Sequence, residues 1–158
     1  MNETESGKNI KKLKSMQAYI GYSEQSMDVV PLSILQGQFF NPYLPKYLNY
    51  GTLGYGLAHE IVHGFDNVGR KYDSNGNESD GWHTESNQDF VSITQCLIRQ
   101  YGYFQDEATF LHLDGERTLA ENIFDNGGLP QIYNAYKRWA SHHFSEIKLP
   151  GFNFTAAK

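Results

Sequence analysis

The sequence predicts an α+β fold that is mostly α-helical and contains one short β region. Two long segments, residues 83–103 and 118–142, carry apolar residues at helical spacing, and a break is expected in the second near Gly127-Gly128. One short stretch, residues 28–35, is rich in valine, leucine and isoleucine and is predicted to be a strand. With 158 residues, the chain is long enough for one domain with a hydrophobic core, and residues 1–158 are interpreted as a single domain.

The N-terminal part combines a polar end, the predicted strand and a loop. Residues 1–15 are polar and lysine-rich, which is typical of a frayed helix end or a cut terminus. Pro31 lies inside the predicted strand and restricts it to a sheet edge or a bulge, although a proline is also compatible with a plain loop. Residues 39–46 contain two prolines and are predicted to be a loop.

Residues 48–65 are predicted to form the next helix. Glycines at positions 51, 54 and 56 each lower helix propensity by roughly 1 kcal/mol. Close packing against a neighbouring segment is the expected reason that the helix tolerates them. Residues 67–81 are rich in Gly, Asn, Asp and Ser, so a surface loop is expected to follow.

This helix carries the H-E-x-x-H motif His59-Glu60-Ile61-Val62-His63. Residues four apart lie on one face of a helix, roughly 6 Å apart along its axis, so two imidazoles can hold one Zn²⁺. Glu60 lies beside them, where a general base for metal-assisted hydrolysis is needed. The motif alone leaves an alternative, because three fixed letters also occur by chance and a buried histidine is often a satisfied core residue.

A second acidic pair follows in Glu121-Asn122-Ile123-Phe124-Asp125. Glu121 and Asp125 are four residues apart, on one face of the predicted helix. Glu121 can complete a set of two histidines and one carboxylate, and Asp125 can accept the second ring N–H of a ligating histidine. The alternative is a solvated acidic face, which the apolar neighbours Leu119, Ile123 and Phe124 disfavour.

Beyond these motifs, the chain resembles the neprilysin and endothelin-converting-enzyme family of zinc metallopeptidases. Residues 59–66 read H-E-I-V-H-G-F-D, and residues 121–128 read E-N-I-F-D-N-G-G, against the family's E-N-I-A-D-N-G-G. Segments 34–42 and 47–51 also resemble the family, and the similarity extends from about residue 17 to residue 155. The resemblance implies a thermolysin-like zincin catalytic lobe that cleaves small peptides and holds one Zn²⁺ per chain.

The resemblance also implies a role for each motif residue. His59, His63 and Glu121 would be the zinc ligands, and Glu60 would be the general base. Asp125 would orient a ligating histidine and so belongs with the catalytic residues.

Other residues depart from the family pattern or carry a weaker expectation. Gln17-Ala18-Tyr19 stands in place of the substrate-binding N-A-Y/F segment. Asp66 is expected to support the ligands in a way similar to Asp125. Ala58 replaces a glycine, residues 80–83 replace a W-W segment, and Phe124 replaces a small residue. The Phe124 ring must find space or it tilts the helix.

The resemblance covers a catalytic-lobe segment that is incomplete at both ends. The family's other lobe and its C-terminal segment, which carries an oxyanion-stabilising histidine and a substrate-binding arginine, have no counterpart in these residues. The chain is therefore expected to bind zinc but to cleave slowly or not at all. The alternative function is a catalytically impaired zinc-binding member that binds peptides or partners. A third interpretation, a helical structural protein with a coincidental motif, is disfavoured by the second motif.

Composition bounds partners and location. The net charge of −5 disfavours nucleic acid and anionic membranes as partners. Peptide substrates are the partners that the family resemblance implies. The single cysteine, Cys96, excludes an internal disulfide; it is either an unpaired half of the family's disulfide or a buried free thiol. Aromatic residues make up 15% of the chain, and most are expected in the core.

The resemblance implies an extracellular or plasma-membrane location. Sequons at Asn2, Asn77 and Asn153 suit a secreted glycoprotein. No signal peptide or membrane span is visible in the sequence, so the extracellular or plasma-membrane location rests on the resemblance. The specific substrate and the oligomeric state stay open.

Overall fold

The computed structural model describes residues 4–16, 34–79 and 82–151, together with the backbone of two short strands. The described part is mostly helical, which confirms the predicted class. Its α-helices are α1 (Glu5–Ser15), α2 (Lys46–Asn49), α3 (Tyr55–His63), α4 (Thr84–Tyr103) and α5 (Leu119–Ala140). A π-helical turn (Tyr50–Gly54) joins α2 to α3, and a 3₁₀ turn (Gly69–Lys71) follows α3.

The β region consists of β1 (Tyr19–Ile20) and β2 (Val29–Val30), which pair in parallel. Tyr19 is opposite Val29, and Ile20 is opposite Val30. The predicted strand over 28–35 is therefore too long, because Ile34 and Leu35 lie outside it. Pro31 itself lies outside the described residues.

The chain divides into two compact units, which are described separately. The first unit comprises Met1–Met16 and Ile61–Asn126, and the second comprises Gln17–Glu60 and Gly127–Lys158.

In the first unit, the segment predicted to be frayed forms helix α1. The Thr4 hydroxyl accepts a hydrogen bond from the Gly7 N–H at 3.1 Å, which satisfies one free donor of the first turn. The Lys12 ammonium donates to the Gly69 and Tyr72 carbonyls at 2.5 and 2.6 Å. Burial is the main cause that lowers the pKa of Lys12. The polar composition of residues 1–15 therefore does not prevent helix formation, because two backbone carbonyls of a distant loop accept hydrogen bonds from Lys12.

Helix α4 is also part of the first unit. The Arg70 guanidinium lies over the rings of Trp82 and Phe90, at 5.5 and 4.7 Å, and ties the loop after α3 to α4. A Cβ at Gly115 would overlap the Ile98 carbonyl, so the chain before α5 crosses α4 at close range. Cys96 is exposed on α4, so the interpretation as a buried thiol is wrong.

In the second unit, Glu146 closes the start of α2. Pro45 precedes this helix and provides no side-chain cap. The Glu146 carboxylate instead accepts the backbone N–H of Lys46, and that of Tyr47 at 3.1 Å. The Tyr136 hydroxyl donates to the same carboxylate at 3.2 Å. These bonds join the residues after α5 to the helical segment that leads to the H-E-x-x-H motif.

Helix α5 is continuous through residues 127–130. The predicted break near Gly127-Gly128 is wrong, and Pro130 also lies within the helix. Gly54 packs against this helix in the second unit, because a Cβ there would be 2.9 Å from Ile132 Cδ1. This contact confirms the expected close packing at Gly54. The same expectation is wrong for Gly51 and Gly56, where an added Cβ would meet no described atom within 4 Å.

Few large side chains in the described residues are fully buried. The buried apolar residues are Ala58, Phe124 and Tyr136. The expectation that most aromatic residues are core is wrong for several rings at turns and helix ends. These exposed rings are Tyr43, Tyr103, Phe110 and Phe144.

Candidate metal centre

Three donor side chains of the H-E-x-x-H motif come together on helix α3. One donor atom from each of His59, Glu60 and His63 lies within 4.8 Å of the others. The two histidines are partly buried and Glu60 is exposed. This geometry follows from the helix itself, since residues 59 and 63 are one turn apart. Imidazole nitrogens are common zinc ligands in proteins, so the two histidines fit that ion, and Glu60 lies beside them.

The backbone around His59 packs against α5 within the second unit. A Cβ at Gly128 would lie 3.1 Å from the His59 backbone nitrogen and 3.2 Å from the Ala58 carbonyl carbon. Both neighbours are main-chain atoms, so only glycine allows this approach without a shift. The Tyr55 ring lies edge-on to the His59 imidazole, with 6.4 Å between centroids. The glycines of the E-N-I-F-D-N-G-G segment thus include a packing position on the motif helix.

His63 is packed within the first unit by a side chain that the sequence marked as unusual. The Phe124 ring lies against the His63 imidazole, with centroids 3.4 Å apart and planes inclined at 43°. Phe124 is 1% exposed. The ring therefore finds space by packing on a histidine of the motif, and α5 continues through this position.

The turn after His63 is stabilised by Asp66. This aspartate is buried, and its Oδ1 accepts the backbone N–H groups of Val68, at 2.9 Å, and of Gly69. A Cβ at Gly69 would overlap the His63 carbonyl, so the turn packs directly on the end of α3. The predicted supporting residue thus holds the backbone turn that contacts His63.

Helix α5 carries the predicted acidic pair. Glu121 is exposed in its first turn and Asp125 is partly buried. Between them Asn122 is buried, and its side-chain amide donates to the Thr118 hydroxyl at 2.9 Å. Sequence reasoning did not assign Asn122 a role, although its place beside Glu121 in the E-N-I segment was the available signal. The roles of Glu121 and Asp125 stay predictions.

The predicted substrate-binding segment falls largely outside the described residues. Gln17 and Ala18 are not described, and only the backbone of Tyr19 is described, in β1. Among the described residues, no helix combines the length and apolarity that a bilayer crossing requires.

Comparison with known proteins identifies the family to which this chain belongs. The profile of Peptidase family M13 matches residues 18–158. Neprilysin-2 of Drosophila melanogaster is 49% identical over 125 residues, which are 79% of this chain and 16% of that protein. Membrane metallo-endopeptidase-like 1 of Mus musculus is 46% identical over 131 residues, 82% of this chain and 17% of that protein.

A solved structure gives the same result. The zinc metalloprotease ZMP1 of Mycobacterium tuberculosis, in its open state, aligns with a TM-score of 0.70 and 36% identity over 81% of this chain and 20% of its own. A mostly helical fold with an H-E-x-x-H helix and these relatives defines the class of zinc metallopeptidases. The chain belongs to Peptidase family M13. It spans about a sixth of the length of the curated relatives that it matches.

Proposed function

We propose that this chain is part of a zinc-dependent endopeptidase that cleaves small peptides, with a thermolysin-like catalytic lobe. The observation that carries the proposal is the grouping of His59, Glu60 and His63 donor atoms within 4.8 Å on one helix. Membership of Peptidase family M13 supports the reaction class.

The donor set supports zinc as the resident metal, at one ion per chain. His59 and His63 would hold it through ring nitrogens, and Glu121 would be the third ligand. Bound zinc supplies Lewis acidity, which polarises a peptide carbonyl and makes a water more acidic. Asp125 would accept a ring N–H from a ligating histidine and so fix its tautomer. The Asp66 turn would hold the backbone at His63, which its Gly69 contacts.

Glu60 would move the proton in this reaction. Its carboxylate is exposed beside the two histidines, where a water and a peptide can reach it. It would accept a proton as the water oxygen bonds to the scissile carbonyl carbon. It would then donate that proton to the amine nitrogen as the C–N bond breaks. Each cleavage therefore consumes one water and restores the Glu60 carboxylate.

Substrate contacts and location complete the proposal. Residues Gln17, Ala18 and Tyr19 would bind the peptide backbone, and β1 provides a strand backbone at Tyr19. The relative named Membrane metallo-endopeptidase-like 1 supports an extracellular or plasma-membrane location. The Asn77 sequon is exposed in the loop after α3, where a glycan would have room.

The test combines metal analysis with peptidase assays on the purified chain, on Glu60→Gln and on the control Glu107→Gln. Glu107 is an exposed glutamate in a turn outside the motif. We expect one zinc per chain in all three proteins, at most slow cleavage by the parent and by Glu107→Gln, and no cleavage by Glu60→Gln. Absence of zinc from the folded chain, or cleavage by Glu60→Gln at the parent rate, would contradict the proposal. Peptide binding without cleavage by the parent would favour the alternative of a zinc-dependent binding module.

A further inference from the structure

Phe124 occupies a position on α5 between the two acidic residues. It lies three residues after Glu121 and one before Asp125, and residues three apart share one side of a helix. Phe124 is therefore on nearly the same side of α5 as Glu121. It is 1% exposed and is the largest fully buried side chain among the described residues.

The direct neighbour of this ring is the His63 imidazole. The two centroids are 3.4 Å apart, and the planes are inclined at 43°. An imidazole turns about the bond that joins it to Cβ, and a ring against its face blocks that rotation. Because the histidine is already held, it loses less conformational entropy when it binds a ligand. A phenyl ring has no donor or acceptor, so its effect is through shape and exclusion of water.

We propose that Phe124 is a positioning residue for the metal centre, whose ring holds the His63 imidazole in its zinc-binding orientation. The inference rests on the proposed function, because it requires His63 to be a zinc ligand. The alanine of the E-N-I-A-D-N-G-G pattern would leave this side of the imidazole open. This chain would therefore bind zinc through a more rigid histidine than a chain with alanine at the same position. Changes to groups that orient metal ligands typically alter metal affinity by about 10- to 100-fold.

The first measurement is the zinc dissociation constant, determined by competition with a chromophoric chelator. It compares the parent with Phe124→Ala, Phe124→Leu and the control Phe90→Ala. Phe90 lies in the same unit and packs on Trp82, with 5.7 Å between centroids, and on Arg70. We expect zinc binding to weaken about 10- to 100-fold in Phe124→Ala. Phe124→Leu should be intermediate, and Phe90→Ala should match the parent.

The second measurement needs no metal. Ring protons of histidine are observed by NMR in the zinc-free chain, and those of His63 are identified by their loss in His63→Gln. A phenyl ring against the imidazole shifts these resonances through its ring current. We expect them to move in both Phe124 variants and to stay in place in Phe90→Ala. A loss of stability alone would not produce that pattern.

The outcomes separate this inference from the function on which it rests. A parent chain that binds no zinc would overturn both. Equal zinc binding by the parent and by folded Phe124→Ala would overturn this inference alone. If Phe124→Ala does not fold, Phe124→Leu decides: an unchanged dissociation constant with unchanged His63 resonances would overturn the inference.

Discussion

Replacement of Gly128 by alanine tests the close approach of α5 to the motif helix. The added Cβ would lie 3.1 Å from the His59 backbone nitrogen, 3.2 Å from the Ala58 carbonyl carbon and 3.4 Å from the His59 Cα. Optimal separations between non-bonded carbons are about 3.5–4.0 Å, so the backbones must part by a few tenths of an ångström. No flexible side-chain end is among these three atoms, so relief requires a movement of helix backbone.

Two effects of opposite sign determine the stability of Gly128→Ala. Overpacking of a well-packed site typically costs about 1–3 kcal/mol, and a similar cost is expected here. Alanine in place of glycine within a helix stabilises by about 1 kcal/mol. We therefore expect the free energy of unfolding to fall by up to about 2 kcal/mol. Zinc binding should weaken as well, because the displaced backbone carries His59.

Gly56→Ala is the matched control for this prediction. Gly56 is on the same helix as His59, and a Cβ added there would have no neighbour within 4 Å among the described residues. This variant should be stabilised by up to about 1 kcal/mol through helix propensity alone. Urea denaturation of both variants and of the parent measures the difference. If Gly128→Ala were stabilised as much as Gly56→Ala and bound zinc equally well, the reasoning from close backbone contact would be refuted.

Three further changes test the packing of each unit. Thr4→Ala removes the cap of α1 and should destabilise that helix by about 1 kcal/mol, seen as faster amide hydrogen exchange in α1 than in α4. Glu146→Gln weakens the bonds to the start of α2 and should lower the free energy of unfolding by about 1–3 kcal/mol in urea denaturation, and an unchanged value would contradict the described contacts. Burial, followed by the Glu146 charge, raises the pKa of Tyr136 to about 12. The folded chain keeps this proton at a pH where the unfolded chain loses it, so the stabilisation is complete below pH 10 and is lost as the pH rises towards 12. Tyr136→Phe should remove this part of the alkaline loss of stability, and identical alkaline titrations of parent and variant would exclude the effect.

Local patterns in the sequence predicted the helices that carry the motifs. The segment 118–142 was predicted as a helix, and α5 runs over Leu119–Ala140. The break expected near Gly127-Gly128 is absent because glycine lowers helix propensity only modestly. Gly128 is accounted for by tertiary packing, since it lies against the backbone of Ala58 and His59. For residues 1–15 the sequence indicated at most a frayed helix end, and the ordered helix α1 over Glu5–Ser15 also has a tertiary cause. The carbonyls that accept from Lys12 lie 57 and 60 residues further along the chain, at Gly69 and Tyr72.

The candidate site also combines a feature that the sequence predicts with one that it does not. The grouping of His59, Glu60 and His63 follows from helix geometry and was predictable from their spacing. The ring of Phe124 against His63 was not, because it depends on how two helices separated in sequence come to pack. Sequence reasoning recognised only that a bulky ring at this position needed space.

The carboxylate of Glu146 has a consequence for the order of folding. It accepts the N–H of Lys46, a residue 100 positions earlier in the chain. A contact of this separation closes a long loop, and the loss of chain entropy precedes the energy gained. The start of α2 should therefore gain amide protection late in refolding, after local helices such as α4 have formed. The helical segment that continues into the motif would then be secured at its N-terminal end by one of the last contacts to form.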